Sequence, residues 1–125
     1  MERLEIEQSE YTPYAILDKI NNILELGGRS LPENAIDFFD PIIGWLLQYS
    51  KVPNPKTSFN FKMEYFNTPS SKKMLDILTI MEEIRDSGIE VIINWHYDID
   101  DKDMIDAGKE FAELVDLKFE FICNQ

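Results

Sequence analysis

The chain of 125 residues has one cysteine, Cys123, and one histidine, His96. A lone thiol cannot close an internal disulfide or build a cysteine-rich zinc site. One imidazole leaves little material for a histidine-based catalytic centre or a multi-histidine metal site. Basic residues are scarce as well: 12 Lys and Arg stand against 24 Asp and Glu, for a net charge of −12. Such a surface repels phosphate backbones and anionic lipid, which argues against nucleic acid and membrane as partners. Long hydrophobic runs are missing. The longest, Ile42 to Leu47, contains Gly44 and falls far short of the ~20 residues of a bilayer span. Residues 1–10 hold four glutamates and no apolar stretch, so they do not read as a secretory signal. A soluble cytoplasmic protein is expected.

What is present points to one folded domain over residues 1–125. The 8 Phe, 5 Tyr and 2 Trp supply a sizeable core and argue against disorder. Charge is uneven, with −3 on residues 1–62 and −9 on residues 63–125. No repeat, low-complexity segment or domain linker stands out.

Hydrophobic spacing sets the element order. Leu4 and Ile6 alternate with glutamates, as in a short strand or extended arm. Tyr14–Leu17 and Ile23–Leu26 read as a hairpin at the sheet edge, ended by Gly27-Gly28. Ser30 and Glu33 have capping-box spacing before a helical stripe from Ala35 to Leu47, which Pro41 is expected to kink or divide. Phe59, Phe61, Met63 and Tyr65 alternate with polar residues, a strand with one apolar face. Met74, Leu75, Leu78, Met81 and Ile84 mark a second helix, and Gly88 ends it. Ile89–Tyr97 is the most apolar strand. A third helix spans about Asp101 to Val115, with Met104, Phe111 and Leu114 inside, and Phe119 and Phe121 mark a last strand. The pattern predicts an α/β domain: a mixed, mostly parallel sheet with an N-terminal antiparallel hairpin. Three main helices pack mainly on one face, joined by right-handed crossovers.

Most candidate chemistry fails on spacing. The acidic run Asp98, Asp100, Asp101, Asp103 and Asp106 invites a calcium reading. Read from Asp98, an EF-hand loop would put Lys102 at position five, Asp103 at six and Lys109 at twelve, so the template fails. Acidic side chains at a helix start suffice to explain the run. His96 has no serine or cysteine nucleophile in a known motif nearby and reads as a partly buried structural residue. Cys123 shows no sign of activation. Gly27-Gly28 lacks the spacing of a phosphate-binding loop.

The informative segment is Glu64-Tyr65-Phe66-Asn67-Thr68-Pro69-Ser70-Ser71-Lys72-Lys73, where a strand meets a helix. Thr68 is a good N-cap, and Pro69 suits the first helical position. A phosphoryl group on Thr68 would bring about −1.5 to −2 charges. It would meet the positive end of the helix, its first-turn amides, and the nearby Lys72 and Lys73.

These residues carry a resemblance. The arrangement resembles the STAS-like fold of bacterial anti-sigma-factor antagonists, where a phosphorylatable hydroxyl opens the helix after a strand. More closely, the chain resembles the SiaC family of biofilm regulatory phosphoproteins. The likeness runs through Tyr11-Thr12-Pro13, Leu31 to Phe39, Pro41, Trp45-Leu46, Glu64 to Thr68, Ser70-Ser71-Lys72, and Trp95 to Met104. It covers nearly the whole chain, and Pro69 stands where a small polar residue is expected in relatives.

The resemblance implies a regulator with no catalytic residue, cofactor or metal of its own. It implies phosphorylation of Thr68 by a Ser/Thr protein kinase of histidine-kinase-like fold, reversed by a PP2C-type phosphatase. Asn67, Pro69, Ser70, Ser71 and Lys72 would form the surface that kinase and partner meet. The unphosphorylated form would bind and activate a GGDEF-type diguanylate cyclase, raising cyclic di-GMP and controlling biofilm formation. Two other readings compete: a partner-switching module with a different target, and a small-molecule-binding STAS-like domain. An enzyme using Asp98 and His96 as acid and base lacks a nucleophile, a metal set and a glycine loop.

Overall fold

A computed structural model describes residues 1–124. Its six strands are β1 (Leu4–Ile6), β2 (Tyr14–Asp18), β3 (Ile23–Ser30), β4 (Lys56–Phe66), β5 (Glu90–Asp98) and β6 (Lys118–Asn124). Helices α1 (Ala35–Tyr49), α2 (Thr68–Asp86) and α3 (Lys102–Leu114) follow β3, β4 and β5. The strands form one sheet in sequence order, β1 to β6. β1–β2 and β2–β3 are antiparallel, and the remaining pairs are parallel. This is the expected mixed sheet, with β1 added as the edge strand outside the hairpin.

Sequential order positions the helices. Each parallel crossover steps to the next strand in the same direction, so right-handed connections place α1, α2 and α3 on one face. Burial follows. On β4, Thr57, Phe59, Phe61 and Met63 are buried while Lys56, Lys62 and Glu64 are exposed. The covered face of the sheet packs Leu24, Leu26, Phe61, Ile93 and Trp95 against Phe39, Ile42, Leu46, Met74, Leu78 and Met81. Burying each such side chain contributes ~1.5–3 kcal/mol. Trp95 seats α3. Its Nε1 donates to the Met104 carbonyl at 2.9 Å, and a Cβ on Gly108 would lie 2.5 Å from the indole.

Several local expectations are corrected. β3 does not end at Gly27-Gly28 but runs to Ser30, because parallel pairing with β4 continues to Phe66. The register shifts between Gly28 and Arg29, and Gly28 has φ +94°, a conformation that favours glycine. Ser30 is therefore a buried strand residue, not a helix cap. Asn34 caps α1, accepting from the Asp37 amide. Pro41 does not divide α1, which runs as one element. Pro41 faces solvent while Phe39, Ile42 and Leu46 stay buried, so core packing offsets the lost hydrogen bond. Leu47 and Leu114, placed inside by periodicity, are exposed at 46% and 66%.

Candidate functional site

All three helices start at the same end of the sheet, where the parallel strands β3, β4 and β5 finish. α2 starts in the middle of the three. Only Asn67 separates β4 from α2. Phe66, the last residue of β4, is held by Trp95 and Phe111, with ring centroids at 6.3 and 6.1 Å.

The junction itself is clamped. Asn67 donates its backbone N–H to the Ser30 carbonyl at 3.0 Å. Its side-chain oxygen accepts from the Ser70 amide at 3.0 Å, so Asn67 is the N-cap. This corrects the assignment of Thr68 as cap. Thr68 is instead the first helical residue and Pro69 the second. The shift by one position follows from β4 extending to Phe66, which leaves Asn67 as the residue between strand and helix.

The six predicted residues divide sharply. Thr68 and Pro69 are exposed, and the Thr68 hydroxyl has no hydrogen-bond partner among the described residues. Ser70 is fully buried, its hydroxyl 2.7 Å from that of Ser30 and 3.2 Å from the Ser30 carbonyl. It ties α2 to β3 and offers no surface to a partner. Ser71 is half-buried and donates its hydroxyl to the Thr68 carbonyl at 2.8 Å. Lys72 is exposed, one turn beyond Thr68, and makes no ion pair among the described residues. Lys73 points elsewhere, 3.7 Å from Asp76.

This changes how an anion at Thr68 would be met. Pro69 has no N–H, and the Ser70 amide already bonds to Asn67. The first-turn amide cradle that the sequence suggests is thus largely spent. The remaining attractions are the positive end of α2 and the Lys72 ammonium at i+4.

One turn along α2, at Ser71, Lys72 and Leu75, lies a groove that sequence reading missed. It has a volume of about 270 Å³ and runs between α2 and α3. Phe66 and Phe111 lie along it, with Leu75 and Lys72 on the α2 side and Glu110 and Leu114 on the α3 side. A second cleft, also about 270 Å³, shares Phe66 and Ala107 with it and opens toward Glu64, Tyr65, Asp101 and Asp103. The available signal was the spacing Ala107, Phe111, Leu114, an apolar α3 stripe that α2 does not fully cover.

The other candidates lie apart. Asp101 caps α3 through the Met104 amide at 3.0 Å, so the acidic run does start a helix. Among the described residues, no three His, Cys, Asp or Glu side chains gather as a metal-binding group. His96 sits on the helix-free face of the sheet. Its Nε2 is 3.4 Å from Asn60 Oδ1, which also accepts from Asn94 at 3.1 Å. Burial, and then the Lys62 positive charge, lower its pKa. On the same face Tyr14 donates to Glu25 at 2.6 Å, and Lys62 lies 3.4 Å from Glu25. No helix of the described chain is long and apolar enough to cross a membrane.

Known proteins resemble this chain over nearly its whole length. The family described as SiaC family regulatory phosphoprotein matches residues 6–124. An uncharacterized protein of Pseudomonas aeruginosa strain UCBPP-PA14 is 31% identical over 121 residues, covering 97% of this chain and 94% of that protein. The solved structure of SiaC of Pseudomonas aeruginosa matches with a TM-score of 0.89 at 29% identity, covering 99% of this chain and 100% of that one. A crystal structure of the diguanylate cyclase SiaD in complex with its activator SiaC, from the same organism, also matches. Its TM-score is 0.90 at 29% identity, covering 97% of this chain and 99% of that one.

Proposed function

Because this chain belongs to the SiaC family of regulatory phosphoproteins, we propose that it activates a diguanylate cyclase and that phosphorylation of Thr68 turns this off. The observation that carries the reading is the state of Thr68: exposed, with an unengaged hydroxyl, on a helix start locked to the sheet by Asn67 and Ser70. A modifying enzyme can reach the oxygen without unfolding its surroundings. The activator role is supported by the likeness to the SiaC chain solved with its cyclase.

In the forward step, a Ser/Thr kinase of histidine-kinase-like fold transfers the γ-phosphoryl group of ATP to Thr68 Oγ1. The hydroxyl loses its proton and ADP leaves. In the reverse step, a PP2C-type phosphatase hydrolyses the ester with water, releasing inorganic phosphate and restoring the hydroxyl. The protein itself performs no chemistry and is a cytoplasmic signalling component. Asn67, Pro69, Ser71 and Lys72 would form the surface that both enzymes meet, while buried Ser70 ties α2 to β3 beneath it.

Electrostatics gives the size of the switch. A phosphate adds about −1.5 to −2 charges to a surface that the partner must desolvate. Docking an uncompensated charge costs several kcal/mol. A loss of ~4 kcal/mol weakens binding about a thousandfold. Calorimetry on the Thr68-phosphorylated and plain proteins tests this, with Thr68→Ala expected to bind like the plain form and to resist the kinase. Equal partner affinity for the phosphorylated and plain proteins overturns it.

A further inference from the structure

The two outer strands of the sheet are not alike. β1 has three residues and is guarded: Trp45 Nε1 donates to the Glu2 carbonyl at 2.7 Å, and Arg3 pairs with Glu5 at 2.8 Å. Short length and charge keep an edge from pairing with another chain. β6 has seven residues, about 23 Å of strand, and holds no proline or glycine. It pairs with β5 from Lys118 to Asn124 without a bulge. Its outer side therefore carries alternate N–H and C=O groups, a row that binds another strand. Among the described residues no strand lies outside β6. The loop hydrogen bond it receives, from the Ile99 amide to the Asn124 carbonyl at 3.3 Å, comes from the β5 side.

The side chains are also left short of a neighbour. On β4 and β5 the residues facing the helices are fully buried, as Phe59, Phe61, Ile93 and Trp95 show. Phe119 and Phe121 stand beside Ile93 and Trp95 in register, their rings stacked with centroids 5.9 Å apart. Both stay half-buried. Their open flank is the one that a further strand covers. Lys118 and Glu120 pair with each other at 3.8 Å, and the stretch from Phe121 to Asn124 has no charged side chain.

The pattern of β6 matches itself. Two copies related by a two-fold axis through Phe121 run antiparallel and pair all seven residues. On the helix side Phe121 meets Phe121 and Phe119 meets Cys123. On the open side Glu120 meets Ile122 and Lys118 meets Asn124, so no like charges stand opposite each other. An axis one residue earlier would set Glu120 against Glu120, which is unfavourable.

We propose that β6 is a self-association edge, through which two copies of this chain pair antiparallel about Phe121 and join their sheets into one. The helices of both copies lie on the same side of the joined sheet. The strands reverse across the axis, so the two Thr68 ends point in opposite directions and the dimer offers two separate sites. The seam is made of backbone hydrogen bonds and apolar side chains between molecules of net charge −12. Added salt therefore tightens it by screening their repulsion.

Sedimentation equilibrium of the full chain, from low micromolar to near-millimolar concentration, tests this. The mass is expected to rise from one chain to two, and to rise earlier in high salt. Two substitutions at one half-buried position fix the register. Ile122→Glu sets a carboxylate against Glu120 of the other copy twice over and is expected to weaken the dimer about tenfold. Ile122→Lys sets an ammonium there and is expected to keep or tighten it. Mere loss of the isoleucine would move both variants the same way. Hydrogen exchange on the unaltered chain gives a reading that needs no variant: amides of residues 118–124 are expected to slow as concentration rises. A chain that stays monomeric throughout overturns the proposal. So does a dimer that the two Ile122 variants affect alike, or one whose β6 amides exchange no more slowly than in the monomer.

Discussion

The two ends of the sheet make opposite use of charge. At the end where the helices stop lies the larger hollow, about 710 Å³, lined by Lys56, Arg85, Glu90, Asp116, Lys118 and Glu120. Each of its cations is matched within the chain: Lys56 with Glu90 at 3.3 Å, Arg85 with Asp116 at 2.9 Å, and Lys118 with Glu120 at 3.8 Å. Where the helices begin, the hollows are smaller, yet Thr68 and Lys72 have no such partners among the described residues. Size alone would point to the end whose cations are already paired. A site is marked by chemistry left unspent, and the paired ions at the far end already have what they can use.

The strongest way to break this contrast is to unseat α3. Trp95→Ala removes a fully buried indole and should cost ~3–5 kcal/mol in urea unfolding. It also removes support from Phe66 and Phe111 and so collapses the groove, whereas a loss under 1 kcal/mol would show that α3 is held otherwise. Next comes the clamp. Ser70→Ala leaves the buried Ser30 hydroxyl without its partner and should cost ~1–3 kcal/mol, measured the same way. Asn67→Ala removes the cap of α2 and should cost ~1 kcal/mol, while Thr68→Ala, which removes no cap, should be close to neutral. That pair decides directly which residue caps the helix. At the far end, Arg85→Ala should leave the unfolding midpoint essentially unchanged, since its partners are exposed.

The smallest expected effect is one of pH. The folded-state pKa of His96 is lowered, first by burial and then by Lys62, below its unfolded value of about 6.5. The unfolded chain then binds the proton more readily. The contribution of His96 to stability is whole above pH ~6.5 and is lost as pH falls through the folded value. His96→Gln should flatten that segment of the stability profile. An unchanged profile would mean that other groups set it.

Much of the fold was legible because periodicity reports burial directly. Phe59, Phe61 and Met63 face the helices as their spacing predicts, while Tyr65, read on the same face, is exposed; of the α2 stripe, Met74, Leu78, Met81 and Ile84 are buried and Leu75 is half-buried. Element ends were less legible. Ser30 and Thr68 have good capping chemistry, yet Asn34 and Asn67 do the capping. A cap is fixed by where the preceding strand stops, and β3 and β4 hold each other in register to Ser30 and Phe66. The family resemblance puts Ser70 on the partner-facing surface, but its hydroxyl meets Ser30, forty positions away. Leu114 looked like core because it continues a stripe, but its side chain is exposed even though α2 reaches past it to Asp116.

By itself, then, the order of apolar and polar residues determined the alternation of strands and helices, the single covered face of the sheet, and the strand-to-helix junction that carries Thr68. Those follow from local spacing, which each segment expresses alone. The tertiary structure decided which hydroxyl is free and which is buried, that Lys72 lies beside an apolar groove, and that the larger cavity is electrically closed. These depend on contacts between β3 and α2, or between α2 and α3, and distance along the chain does not encode proximity in space.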